Sequence, residues 1–178
     1  MMTQNRPQPD DYAPFYEKYV ALITGKDLME ALETQPEEWR SILSEITAQQ
    51  SEFRYEPEKW SIKEVLGHVT DAERIFAYRM LRIGRGDQTP LSGFEQDDYV
   101  KEGNCAARSL TDLLEEFAIV RRATVRLLRA LPTRAWNRRG TANQKEITVC
   151  ALAYITAGHA QHHRNVLEQR YLSKLASL

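Results

Sequence analysis

The chain has 178 residues, enough to bury a proper core and most economically read as one domain spanning 1–178. Its formal net charge is −1, with 24 Lys and Arg interleaved among 25 Asp and Glu, which argues against a nucleic-acid binder that works by neutralising phosphates. No apolar run approaches the roughly 18 residues of a membrane span, and the polar start MMTQNRPQPDDYAP lacks the apolar core of a secretory signal, so the expected setting is cytoplasmic.

In chain order, apolar residues return at three- and four-residue intervals, and strand signals are nearly absent. A short helix is predicted around Tyr12 to Ile23. A first long helix is predicted from Lys26 to Ile46, with Pro36 as a point of kinking or interruption. The second long helix has the best-marked start. In KWSIKEV, Ser61 is the N-cap, Glu64 completes a capping box, and Trp60 and Val65 are placed as a hydrophobic staple. It should run to about Ile83, where IGRGDQTP breaks it. The connection DQTPLSGFEQDDYVKEGNCAAR is longer than helix-to-helix loops need, which makes it a candidate wall or lid. A third helix starts from Ser109 and ends before Pro132; the turn-rich PTRAWNRRGTANQKE then leads to a fourth, from about Ile147 to Leu172. The predicted fold class is all-α, a four-helix bundle with a long connection between its second and third helices. Cys105 and Cys150 have no C-x-x-C spacing and read as reduced, packed thiols.

Three of the four histidines, His159, His162 and His163, fall within AGHAQHHRNV on the fourth helix. At about 100° per residue, the apolar direction set by Val149, Leu152, Ile155, Val166 and Leu167 passes close to His159 and His163. Gln161, Arg164 and Glu168 point away, and His162 lies on the border. The i, i+4 pair places two imidazoles within reach of one ion. Two buried imidazoles with nothing between them leave polar nitrogens without partners, a problem that a divalent metal solves. His68, on the flank of the stripe Val65, Val69, Ala72, Phe76 and Ile83, is the remaining histidine and the natural third ligand. Three histidines with an open position are the arrangement of a catalytic zinc, and nickel or cobalt can also occupy it. The zinc-protease pattern H-E-x-x-H is not met, because position 160 is Ala.

The segments KWSIKEVLGHVTDAERIFAYRMLRIGRGD, GFEQDDYV, RRGTAN and ALAYITAGHAQHHRNVLEQRY resemble the DinB-like (DinB/YfiT) superfamily over most of the chain, from about Asp10 to the end. The resemblance implies a small four-helix bundle whose metal histidines match His68, His159 and His163. It also implies a divalent cofactor, zinc or nickel, acting on a small-molecule substrate. Some relatives use a low-molecular-weight thiol, bacillithiol or mycothiol, in S-transfer; others are described as metal-dependent hydrolases. It implies no DNA chemistry.

Other polar residues are candidates for supporting roles. Asp71 and Glu64 lie one turn from His68, where either can fix its tautomer; the capping box already explains Glu64. His162 is the bordering imidazole beside the pair. Glu95, Asp97 and Asp98, in the long connection, are candidates for a general base or a substrate contact. Arg79, three turns along from His68, is a candidate for an anionic group or a partner for a neighbouring helix. Trp60, Trp136, Trp39, Phe76, Phe117 and Tyr154 read as structure, and the arginines of RRATVRLLR and NRRG as a solvated face or partner surface. Two rival expectations stand beside the enzyme. One is a non-catalytic bundle that binds a ligand or partner, and the other is a structural metal closed by Asp97 or Glu95. A homodimer is expected for a bundle of this size.

Overall fold

The computed structural model describes residues 6–176, so the first residues of the polar N-terminal stretch, and both ends of the 1–178 domain, lie outside the described residues. The segment predicted as a helix over Tyr12–Ile23 is broken instead. Two 3-10 turns, Pro9–Asp11 and Pro14–Tyr16, lead into the single turn α1 (Glu17–Val20). Each turn begins on a proline, whose fixed φ and missing N–H suit a first turn and not an interior.

Helix α2 (Leu28–Leu43) starts where the Asp27 carboxylate accepts from the Met29 and Glu30 N–H groups. Pro36 sits inside it without ending it. Proline cannot donate to the carbonyl of Leu32, and Arg121 Nη1 donates to that oxygen instead, at 3.1 Å. Helix α3 (Ile62–Gly84) opens on the predicted capping box, with both the Ser61 and the Glu64 bonds formed. The connection after it is ordered. Leu91 forms a bridge to the segment around Ala142, with Leu91 N–H donating to Thr141 O and Asn143 N–H to Leu91 O, each at 2.9 Å. Helix α4 (Gln96–Glu102) and a 3-10 turn at Cys105–Ala107 follow. Ser109 then caps α5 (Leu110–Arg129).

The turn-rich piece holds α6 (Thr133–Trp136) and a hairpin, β1 (Arg139–Ala142) antiparallel to β2 (Lys145–Thr148). Asn143 and Gln144 make its two-residue turn with φ of 50° and 61°, the left-handed pair that a type I′ turn requires. Strands of four residues carry too little alternation to show in the sequence. Thr148 caps α7 (Val149–Val166), which continues through a π-helical stretch, Leu167–Leu172, into α8 (Ser173–Leu175).

The chain is mostly helical. Four helices close a ring in the order α2, α5, α3, α7, so that helices consecutive in the chain, α2 with α3 and α5 with α7, stand on the diagonals. Two apolar clusters fill the ring. Phe76, Met80, Ile83, Leu128, Leu152 and Ile155 anchor one; Trp39, Leu43, Leu66, Phe117, Leu167 and Tyr171 anchor the other. Along α7, His159 falls where one cluster gives way to the other, and on α3 His68 precedes Val69, the last member there of the second cluster.

One expectation fails here. Arg121, the first arginine of RRATVRLLR, is not on a solvated face but is 1% exposed. Its Nε donates to both Glu73 oxygens, at 2.8 and 3.0 Å, and Nη1 donates to Gln35 Oε1 at 2.5 Å. Cys105 and Cys150 are buried and form no disulfide.

Candidate metal centre

The capping box fixes where α3 begins, and His68 follows one and a half turns later, 4% exposed. His159 and His163 stand one turn apart on α7, the first 6% exposed and the second half-buried. Both Gly-His pairs in the sequence have a packing reason. A Cβ on Gly67 would collide with Cys105 Sγ, and one on Gly158 would collide with the Tyr19 carbonyl. The two glycines thus admit the long connection and α1 against the helices at the level of the histidines.

The three imidazoles converge. His68 Nε2 lies 3.1 Å from His159 Nε2, and one nitrogen from each of His68, His159 and His163 falls within 4.8 Å of the others. Ring centroids are separated by 5.0 Å (His68–His159), 4.9 Å (His68–His163) and 4.5 Å (His159–His163). Burial holds His68 down at about 4, and holds His159 and His163 well below the usual histidine range, with mutual repulsion adding to the effect. The cluster is therefore neutral near pH 7, the state in which imidazole nitrogens offer lone pairs.

Aromatic rings wall it. Trp60 lies 4.6 Å from His68 and stacks at 6.4 Å on His163, Tyr19 meets His159 edge-on at 5.3 Å, and Phe76 does so at 5.7 Å. In the sequence Trp60 and Phe76 read as structural and Tyr19 carries no signal; only the tertiary approach of α1 and of the α3 start reveals these walls. His162 is half-buried, edge-on to both His163 (5.1 Å) and Tyr19 (5.4 Å), and outside the converging trio. Burial, followed by the charges of Lys18 and Arg170, lowers its pKa.

The remaining candidates lie elsewhere. Asp71 pairs with Arg74 at 3.0 Å, and Glu64 with Ser61 N–H and Arg54; neither bonds the His68 ring. Glu95, Asp97 and Asp98 are exposed, at the start of α4, and no carboxylate joins the imidazole cluster among the described residues. Arg79 is 3% exposed, with Nη2 donating to Ser92 O at 2.7 Å.

A model of the DinB superfamily matches residues 31–167, from within α2 through α7, and includes all three clustered imidazoles; the chain belongs to the DinB superfamily. The solved structure of YfiT from Bacillus subtilis, described as a probable metal-dependent hydrolase with an unusual four-helix bundle topology, shares the fold. It superposes with a TM-score of 0.74 over 99% of this chain and 95% of that one, at 16% sequence identity. No curated protein sequence matches the chain. No helix among the described residues is long and apolar enough to cross a membrane.

Proposed function

We propose that the chain is a metal-dependent enzyme in which His68, His159 and His163 hold one divalent ion, zinc or nickel, at a site that acts on a small molecule. The observation that carries this reading is the convergence of three neutral imidazoles, two buried and His163 half-buried, with no carboxylate among them in the described residues. Two nitrogens 3.1 Å apart are close to the separation of about 3.3 Å expected for neighbouring ligands of one tetrahedral ion with bonds near 2.0 Å. At most one hydrogen bond can join His68 to His159, at 3.1 Å. The donor set fits a metal.

A divalent ion bound there supplies a Lewis acid that makes water, or a thiol, nucleophilic at neutral pH. The chain's own contribution is positional. The cap at Ser61 and the close approach at Gly158 set the three rings, and Trp60, Tyr19 and Phe76 shield them from bulk water. Hydrolysis is the leading reaction class, in keeping with the description of YfiT; the same ligands serve S-transfer when a low-molecular-weight thiol replaces water.

The test is turnover of small esters, amides and electrophilic halides by zinc- and nickel-loaded protein, with and without cysteine, bacillithiol or mycothiol. Expected is activity that disappears on chelation and returns with metal. Equal rates without thiol mark a hydrolase, and a thiol-dependent rate with an S-conjugate product marks a transferase. Stoichiometric metal with no turnover across the panel contradicts the enzyme reading and favours a structural ion.

A further inference from the structure

Three cationic side chains are buried among the described residues: Lys63, Arg79 and Arg121. Lys63 has Glu52 at 2.6 Å, and Arg121 has Glu73 at 2.8 Å. Arg79, at 3% exposure, has no carboxylate within salt-bridge distance among the described residues; its neighbours there include the neutral Ser92 carbonyl and the phenol of Tyr16. A buried charge without a counter-ion is costly, and folds ordinarily pair it. This fold pairs the other two.

Arg79 also stands in a defined relation to the histidines. It follows Phe76 by three residues on α3, so the two share a face of that helix. The Phe76 ring lies 5.7 Å from His159. On the other wall, Tyr16, which faces Arg79, lies 6.4 Å from Tyr19, itself 5.3 Å from His159. Phe76, Tyr16 and Tyr19 thus connect the lone guanidinium to the imidazole cluster.

The covering is thin. Ser92 is exposed and Tyr16 only half-buried. Ser92 is the residue after Leu91, whose two backbone bonds to the hairpin segment hold the connection in place.

We propose that Arg79 recognises an anionic group, a carboxylate or a phosphate, at the end of the substrate remote from its reacting bond. This rests on the enzyme reading above and names its substrate class. The anion takes the place of the Ser92 carbonyl as acceptor for Nη2, and the planar fork of guanidinium donors receives two of its oxygens. The bound anion is the counter-ion that the fold leaves out.

The test uses metal-loaded protein labelled with 15N-arginine, titrated with sodium acetate, with inorganic phosphate, or with sodium chloride at matched ionic strength, and monitored at the arginine Nε–H signals by NMR. Expected is one resonance, absent from the Arg79→Gln spectrum, that shifts saturably with acetate or phosphate and not with chloride. Saturation at lower acetate concentration assigns a carboxylate, and at lower phosphate concentration a phosphate. Arg79→Lys keeps the charge and the fold but loses the fork, and should bind the preferred anion several-fold more weakly. A signal that follows ionic strength alone in all three titrations, in protein with its metal bound, overturns the proposal while leaving the metal reading intact. Failure to bind metal is measured separately, by elemental analysis of the same sample.

Discussion

Two polar clusters interrupt the apolar interior, and they are built on opposite rules. In the first, Glu73, Arg121 and Gln35 match donors to acceptors across α3, α5 and α2, and Gln35 Nε2 donates onward to the Ala157 carbonyl of α7 at 2.8 Å. Only Arg121 Nη2 is left without a hydrogen bond. In the second, two residues along α7 from Ala157, three imidazoles of one kind face one another. A closed network joins helices and specifies their packing. A cluster of like groups gains at most one hydrogen bond from the His68–His159 contact, so its placement points to a ligand. The same contrast separates Arg121 from Arg79.

The largest test of this comparison is removal of the carboxylate from the closed network. Glu73→Ala leaves Arg121 buried and unpaired, and should lower the unfolding free energy by about 3–5 kcal/mol in urea titrations; a loss below about 1 kcal/mol would mean that the network does not hold the bundle together. The histidine cluster should reveal itself next, through pH. Unfolded, its histidines titrate near the ordinary value of about 6.5; folded and metal-free, they resist protonation, His68 down to about 4. Between those values the unfolded chain takes up the protons, so metal-free protein keeps its full stability above about pH 6.5 and loses it on acidification toward 4. Stability that rises over the same interval would contradict the burial described. The smallest effect is expected where α1 meets α7. In Gly158→Ala the added Cβ meets the Tyr19 carbonyl, and the overpacking should cost about 1–3 kcal/mol. The same substitution should shift the NMR signals of His159, whereas an unchanged ring environment would show that Tyr19 does not depend on that approach.

Much of the site was legible in the sequence because it rests on local geometry. The i, i+4 spacing of His159 and His163 needs only helical periodicity, and the start of α3 needs only the Ser61–Glu64 box. The long helices follow from their apolar stripes. What stayed hidden depends on contacts between distant residues. Arg121 reads as surface until Glu73, 48 residues away, is seen beside it. Trp60 and Tyr19 face the imidazoles only because separate segments meet there, and the hairpin is too short to show alternation. The Gly-His pairs were visible as letters, but the atoms that require glycine, Cys105 Sγ and the Tyr19 carbonyl, come from other elements. Glu95, Asp97 and Asp98 read as part of a long connection, and their place at the exposed start of α4, outside the imidazole cluster, depends on a short helix that the sequence does not announce.

The central claim is that the three imidazoles hold one ion together. It is tested most directly by inductively coupled plasma mass spectrometry on protein purified without a metal-chelating tag, for the wild type and for His68→Ala, His159→Ala and His163→Ala. The account predicts about one equivalent of zinc or nickel in the wild type and a substoichiometric content in each variant, since every variant removes one of the three protein ligands of such a site. A wild type that takes up neither metal when supplied, or any variant that retains the full equivalent, would contradict it.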